Sequence, residues 1–195
     1  MLAAARRAPE EAFLGLDADA SRMREVSQRA ARPERKGGLA NAWFAVAAAE
    51  AFPAELDGRV AVLSVILPWG SLLRGVLGAE PWFLDVAARA LRPAGELRLL
   101  LSVEPRDGLA IAQLDKRSAG HLAAGFGAAG WRVLDARAAT PDDVAHIGSS
   151  WAKRLGIPGR RGAAILRLQR PTRPAGSDGV QSPRRARSTC APRRS

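Results

Sequence analysis

Continuous apolar runs of strand length recur along the chain, separated by stretches whose apolar positions fall at helical spacing. "AFLGLD" (12–17) predicts a short buried strand ending in an acid. The segment 17–32 predicts a helix, with Asp19 or Ser21 as cap and Met23, Val26 and Ala30 on one face. "PERKGG" breaks that helix into a basic loop. "AWFAVAAAE" (42–50) predicts a second strand, and "RVAVLSVILPW" (59–69) a third, apolar throughout as a central parallel strand is. A helix over 79–95, closed by Pro93 and Gly95, leads to a fourth strand, "ELRLLLSV". A Gly-interrupted helix (115–130), a fifth strand (131–139), a helix opened by Thr140 and Pro141, and a last strand (162–170) complete the pattern.

Alternating strands and helices predict an α/β domain with a mostly parallel sheet and helices on both faces. Such sheets bind ligands beyond the carboxyl ends of their strands. Asp17, Glu50 and Trp69 fall at such ends. Asp17 suits the hydroxyls of a ribose, or a cap on the following helix; spacing does not choose between them. Glu50 suits an adenine amino group, or an ordinary acid in a first helical turn.

Residues 1–170 read as this domain, and residues 171–195, rich in Pro, Gly, Ser and Arg, as a disordered basic tail. The formal net charge is +11; six Arg and one Asp give the tail +5 of it and leave the domain +6. That balance points to nucleic acid or another anionic surface. The only cysteine, Cys190, lies in the tail, and no Cys/His cluster exists, so neither a disulfide framework nor a metal site is expected. Residues 1–13 carry charges throughout and have no long apolar core, so neither a signal peptide nor a membrane span is expected. A cytoplasmic protein is the expectation.

Of five tryptophans, Trp43, Trp82 and Trp131 sit inside strand or helix patterns and are expected to be buried or partly so. Trp69 ends a strand, where it gives way to a loop, and Trp151 lies in "SSWAKRL". No acid occurs between Asp143 and Asp178, while Lys153, Arg154, Arg160, Arg161, Arg167 and Arg170 accumulate. Aromatics among cations suit stacking on bases with phosphates held alongside; core packing beside a solvated basic face accounts for the same composition.

"KGGLANAWFAVAAAEAFPAEL", "LPWGSLLRGVLG" and "SSWAKRL", in this order and near this spacing, resemble the aminoglycoside-resistance 16S rRNA methyltransferases of the kanamycin–apramycin type, which modify N1 of adenine 1408. The resemblance covers most of residues 1–170. It implies a Rossmann-like class I fold, S-adenosylmethionine as cofactor, and 16S rRNA within the 30S subunit as substrate of a monomeric enzyme. Asp17 then matches the acid that binds the cofactor ribose, and Ala49 and Glu50 the residues around its adenine. Ser71 matches a hydroxyl residue near the cofactor and target pocket, and Ser149 one beside the second tryptophan. Trp69 and Trp151 match the pair that sandwiches the flipped adenine. Lys153, Arg154, Arg160 and Arg161 match the basic edge that grips rRNA, and Arg35 and Lys36 lie in a loop that docks on the ribosome. No catalytic acid, base or metal is expected.

The chain departs from that family at its start, where no strand with an Asp-x-Gly-x-Gly turn precedes Asp17. The expected consequence is a sheet lacking its first, central strand and therefore divided into two parts, with the true start codon upstream of Met1. The loop after Val103 is also shorter than in relatives. Two other readings stay open on sequence: an inactive RNA-binding remnant, and a methyltransferase acting on another RNA or a small molecule.

Overall fold

In the computed structural model the described residues are 1–104, 107–109, 113–148 and 150–171, without the side chains of residues 150 and 151. Residues 105–106 and 110–112 of the loop after Val103, and the tail from residue 172 that the sequence marks as disordered, lie outside them.

Helix α1 (Leu2–Arg7) leads into strand β1 (Phe13–Asp17), helix α2 (Ala20–Ala30) and strand β2 (Ala42–Val46). Strands β1 and β2 pair in parallel, Phe13 opposite Ala42 and Asp17 opposite Val46. Their core is small: Ala5, Ala30 and Ala42 are buried, with Phe13, Leu39 and Phe44 packed around them. The side-chain amide of Asn41 adds polar closure, donating to the carbonyls of Ala5, Ala8 and Glu11 at 3.0 Å each.

The second sheet has the order β3 (Val60–Ile66), β4 (Leu91–Ser102), β6 (Ala163–Gln169), β5 (Arg132–Ala138). Strands β3 and β4 are parallel; β6 runs antiparallel to both β4 and β5. In the second sheet β3, β4 and β5 thus run the same way and β6 alone is reversed, in keeping with the mostly parallel sheet that the strand–helix alternation predicts. Helices α3 (Gly70–Leu77), α4 (Pro81–Ala90) and α5 (Lys116–Ala128) cover one face of this second sheet. Leu97, Leu99, Leu101, Leu166 and Leu168 from the strands meet Leu73, Val76, Phe83 and Phe126 from the helices. Helices α6 (Pro141–Ile147) and α7 (Ser150–Leu155) cover part of the other face, through Val144, Ala152 and Ile157 against Leu100 and Ile165.

Among the described residues β1 and β3 share no ladder, so each keeps an unpaired edge. The expected division of the sheet is what the fold shows. Strand β3 is thus an edge strand there, not a central one, and Val62 and Ile66 are each 40% exposed.

Several element boundaries differ from the sequence pattern: β2 stops at Val46 rather than Glu50, and β3 at Ile66 rather than Trp69. Helix α4 stops at Ala90 and β4 begins at Leu91, so Pro93 and Gly95 belong to an irregular strand start, where the register jumps from Val60↔Leu91 to Val62↔Glu96. The stretch after Trp69 is helix α3 and not a loop. The Thr140 helix is two helices, because Gly148, at φ 66, ends α6 in a left-handed turn.

Candidate functional site

Asp17 closes β1, and its Oδ1 accepts the N–H of Asp19 at 2.9 Å. Capping of α2 belongs to Asp19, whose side chain accepts from the N–H of Ser21. Asp17 is therefore not the helix cap. Its second oxygen accepts no hydrogen bond among the described residues.

Beyond β2 the chain turns through a short 3₁₀ segment, Ala49–Ala51, so Glu50 is a turn residue rather than the end of a strand or the start of an α-helix. Its Oε1 accepts from the Ser71 hydroxyl at 2.7 Å. That bond, helped by the N–H of Glu50 itself, holds the carboxyl below its usual range. Ala49 is half-buried on the same turn.

Trp69 sits where β3 passes into α3. Leu67 takes φ 51, Gly70 takes φ 63, and Pro68 lies between them. Leu67 is anchored, buried and donating its N–H to the Leu100 carbonyl at 2.7 Å. The reversal that follows turns the Trp69 indole outward, 67% exposed, at the N-cap position of α3. Beside it opens a cleft of about 200 Å³ walled by Leu73, Arg74, Asp107 and Leu109. The guanidinium of Arg22, from the first turn of α2, lies 4.8 Å from the Trp69 ring centre, within cation–π range. It also meets the Asp19 carboxylate at 3.1 Å.

Two polar links thus cross from the β1–β2 unit to the second sheet at the carboxyl ends of their strands, Ser71 to Glu50 and Arg22 to Trp69. Asp17, Ala49, Glu50, Trp69 and Ser71 are brought to one region. Arg22 is a member the sequence pattern missed. The signal was its position, five residues after Asp17 in a helix that starts at a strand's carboxyl end.

Helix α7 carries the backbone of Trp151 to the same side. Ala152, the next residue, is buried in the cluster that holds Leu67, two residues before Trp69. The side chain of Trp151, and all of Ser149, lie outside the described residues. Lys153, Arg154 and Arg160 are exposed on α7 and the loop after it. Arg161 is instead half-buried and ion-paired with Glu104. Arg35 and Lys36 do not join the group: they are exposed in a 3₁₀ turn (Glu34–Lys36) ahead of the amino end of β2. Among the described residues no group of three or more His, Cys, Asp or Glu could hold a metal ion. No helix there is long and apolar enough to cross a membrane.

Comparisons with known proteins bear on the family and the fold. The family model described as NpmA, 16S rRNA (adenine(1408)-N(1))-methyltransferase, matches residues 1–169. The chain is 38% identical over 157 residues to the 16S rRNA (adenine(1408)-N(1))-methyltransferase of Streptoalloteichus tenebrarius, covering 77% of this chain and 72% of that protein. The crystal structure of the 16S rRNA methyltransferase KamB superposes with a TM-score of 0.77 at 35% identity, over 88% of this chain and 82% of that one. A mutant of the 16S rRNA (adenine(1408)-N(1))-methyltransferase from Catenulisporales acidiphilia, crystallised with the cosubstrate SAM, gives 0.75 at 30% identity over 92% and 82%. The fold is thus that of the class I methyltransferases, and the chain belongs to the 16S rRNA (adenine(1408)-N(1))-methyltransferase family.

Proposed function

We propose that this chain transfers a methyl group from S-adenosylmethionine to N1 of adenine 1408 in the 16S rRNA of the 30S subunit, acting as a cytoplasmic monomer. The observation that carries the reading is the convergence of an exposed Trp69, the Asp17 carboxylate and the Glu50–Ser71 pair at the carboxyl ends of β1, β2 and β3.

The residues present fit the nucleoside half of the cofactor. Asp17 has a carboxylate oxygen to spare for ribose hydroxyls, as acids at this place in dinucleotide-type folds do. Glu50 is held as a carboxylate and accepts from an adenine amino group, with Ala49 against the ring. Ser149, which the family resemblance matches to the cofactor pocket, lies outside the described residues. The cofactor supplies a sulfonium-activated methyl group.

Neutral adenine N1 has an in-plane lone pair, so no side chain has to remove a proton before attack. What the chain provides is orientation and proximity for an in-line transfer. A helical adenine must first be extruded, at a cost of a few kcal/mol. Stacking on an aromatic ring returns about 1–3 kcal/mol per base. Trp69 supplies one ring and Trp151, by its match to the family's pair, is assigned the second; the cleft beside Trp69, with apolar walls at Leu73 and Leu109, receives the base edge. Lys153, Arg154 and Arg160 hold phosphates. Arg161 contributes through the orientation of its loop, since its charge is already matched by Glu104.

The test is methylation of purified 30S subunits with labelled S-adenosylmethionine, mapped by primer extension, because a methyl on N1 blocks the base-pairing edge. A stop opposite adenine 1408 is expected. Label incorporated elsewhere would overturn the choice of target. No incorporation, with no cofactor bound in calorimetry, would overturn the activity and leave an RNA-binding protein.

A further inference from the structure

A second exposed tryptophan lies at the other end of β2. Its place inside an apolar strand run predicts burial, yet Trp43 is 53% exposed. Strand β2 pairs only with β1 among the described residues, so it is a sheet edge. Trp43 forms one wall of an open cleft of about 530 Å³, between this edge, the end of α2 and the loop that joins them. That volume falls in the range of small-ligand sites, about 300–1,000 Å³. Ala30, Leu39 and Phe44 supply the apolar floor, Arg32 and Glu34 the lip.

The loop is built, not slack. Lys36 N–H donates to the Pro33 carbonyl and Gly37 N–H to the Glu34 carbonyl, each at 2.8 Å. Leu39 N–H donates to the Ala30 carbonyl at 2.9 Å. A Cβ on Gly38 would lie 1.5 Å from the Arg32 carbonyl oxygen, so only glycine lets the loop fold this closely onto the helix end. From α1, the Arg6 guanidinium donates to the Gly37 carbonyl at 3.4 Å. The backbone of the turn is therefore held in place, and Arg32, Arg35 and Lys36 are exposed on it, with Arg6 bound at Gly37 and Glu34 as the acid among them.

We propose that this cleft is a second base-binding site, in which an unpaired nucleotide of the RNA substrate stacks on Trp43 while Arg32, Arg35 and Lys36 hold its flanking phosphates. The proposal rests on RNA being the substrate but not on the target base or the chemistry. The occupant is a polyanion with a flat face, because an aromatic wall and a cationic lip together match stacking plus phosphate contact. A protein strand added to the β2 edge would leave the cations without partners. The site lies at the amino end of β2, whereas Asp17, Glu50 and Trp69 lie at carboxyl ends, so it grips RNA apart from the reacting base.

The test measures affinity for a short single-stranded oligoribonucleotide and for 30S subunits, using full-length protein and Trp43→Ala, Trp43→Phe, Trp69→Ala and R35A/K36A variants. Trp43→Ala is expected to weaken both affinities about 5- to 150-fold, from the usual worth of one stacked base. Trp43→Phe should keep most of the affinity. The salt dependence of binding should be unchanged in Trp43→Ala and shallower in R35A/K36A. Wild-type affinity for both ligands in Trp43→Ala would overturn the site, as would loss of all oligonucleotide binding in Trp69→Ala. If Trp43→Ala loses binding while the wild type fails to methylate 30S subunits, the site stands and the proposed activity falls.

Discussion

The β1–β2 unit should open far more readily than the rest of the domain, and hydrogen exchange can measure this. Its buried hydrophobic side chains are Ala5, Ala30, Ala42 and Met23. Burial of the three alanine methyls is worth about 2–3 kcal/mol at ~0.8 kcal/mol each, and of the methionine about 1.5–3 kcal/mol. The second sheet buries nine leucines in one cluster, each worth about 1.5–3 kcal/mol. The links between the two units are polar and partly exposed: Ser71 to Glu50 at 2.7 Å, Arg7 to the His146 carbonyl at 3.0 Å, and Arg22 over Trp69 at 4.8 Å. Such links contribute about 1 kcal/mol each. Opening of the unit is therefore expected at about 6–9 kcal/mol, a protection of roughly 10⁴–10⁷, while β4 and β6 exchange only through global unfolding. Mass-resolved exchange of peptides spanning 13–17 and 42–46, against 97–101 and 164–168, reads the difference directly. Added S-adenosylmethionine should slow exchange in the first pair selectively, because Asp17 and Glu50 ride on that unit. Equal protection in the two sets would refute the reasoning: the exposed edges of β1 and β3 would then be carrying interactions that the packing does not contain.

Trp69→Ala should lower methylation at limiting 30S roughly 5- to 150-fold, the worth of one stacked base, with cofactor affinity within two-fold by calorimetry. Phe126→Ala should cost about 3–5 kcal/mol in denaturant unfolding, since Phe126 is fully buried and meets Phe83 and Trp131 edge-on at 6.4 and 6.3 Å. Glu96 gives a pH test. Burial opposes its charge, but hydrogen bonds from Arg98 and Arg167 overcome this and bring its pKa down to about 2. The folded value lies below the unfolded one, so this stabilisation is full above about pH 4.5 and is lost as pH falls toward 2. Glu96→Gln should be less stable at neutral pH and should flatten the stability curve between those pH values.

Much of the fold was legible because strands and helices here carry clean periodicities. The Asp19 and Thr140 caps, the Asp115 start of α5 and all six strands follow from local residue types. What was not legible depends on tertiary contact. Helix α3 contains Gly70 and Gly75, which argue against a helix locally. Yet a Cβ on Gly75 would lie 2.2 Å from the Trp82 ring, so the glycine is there to let α3 and α4 approach. Trp43 alternates as a core residue does, and periodicity cannot tell a covered strand from an edge. Arg22 reads as a surface helix residue until the fold brings Trp69 beneath it. For the site, strand order alone located Asp17, Glu50 and Trp69, whereas the Ser71–Glu50 bond joins residues 21 positions apart and needed the structure.

That bond makes a further prediction about the cofactor. Ser71 lies in the first turn of α3, where the helix N-terminus favours negative charge. Its hydroxyl occupies one oxygen of Glu50 and fixes the direction of the other. In the proposed cofactor site, a carboxylate so oriented would accept from the adenine amino group without first losing rotamer freedom. Ser71→Ala should therefore weaken S-adenosylmethionine binding by about two- to ten-fold, in line with one hydrogen bond of about 0.5–1.5 kcal/mol. The maximal transfer rate at saturating cofactor should be unchanged, because the reacting methyl lies at the other end of the cofactor. Since the Glu50 carboxyl is held below its ordinary range, wild-type affinity should not change between pH 5.5 and 8 through this group. A fall in maximal rate with unaltered affinity would instead place Ser71 against the target base and release Glu50 from the adenine contact.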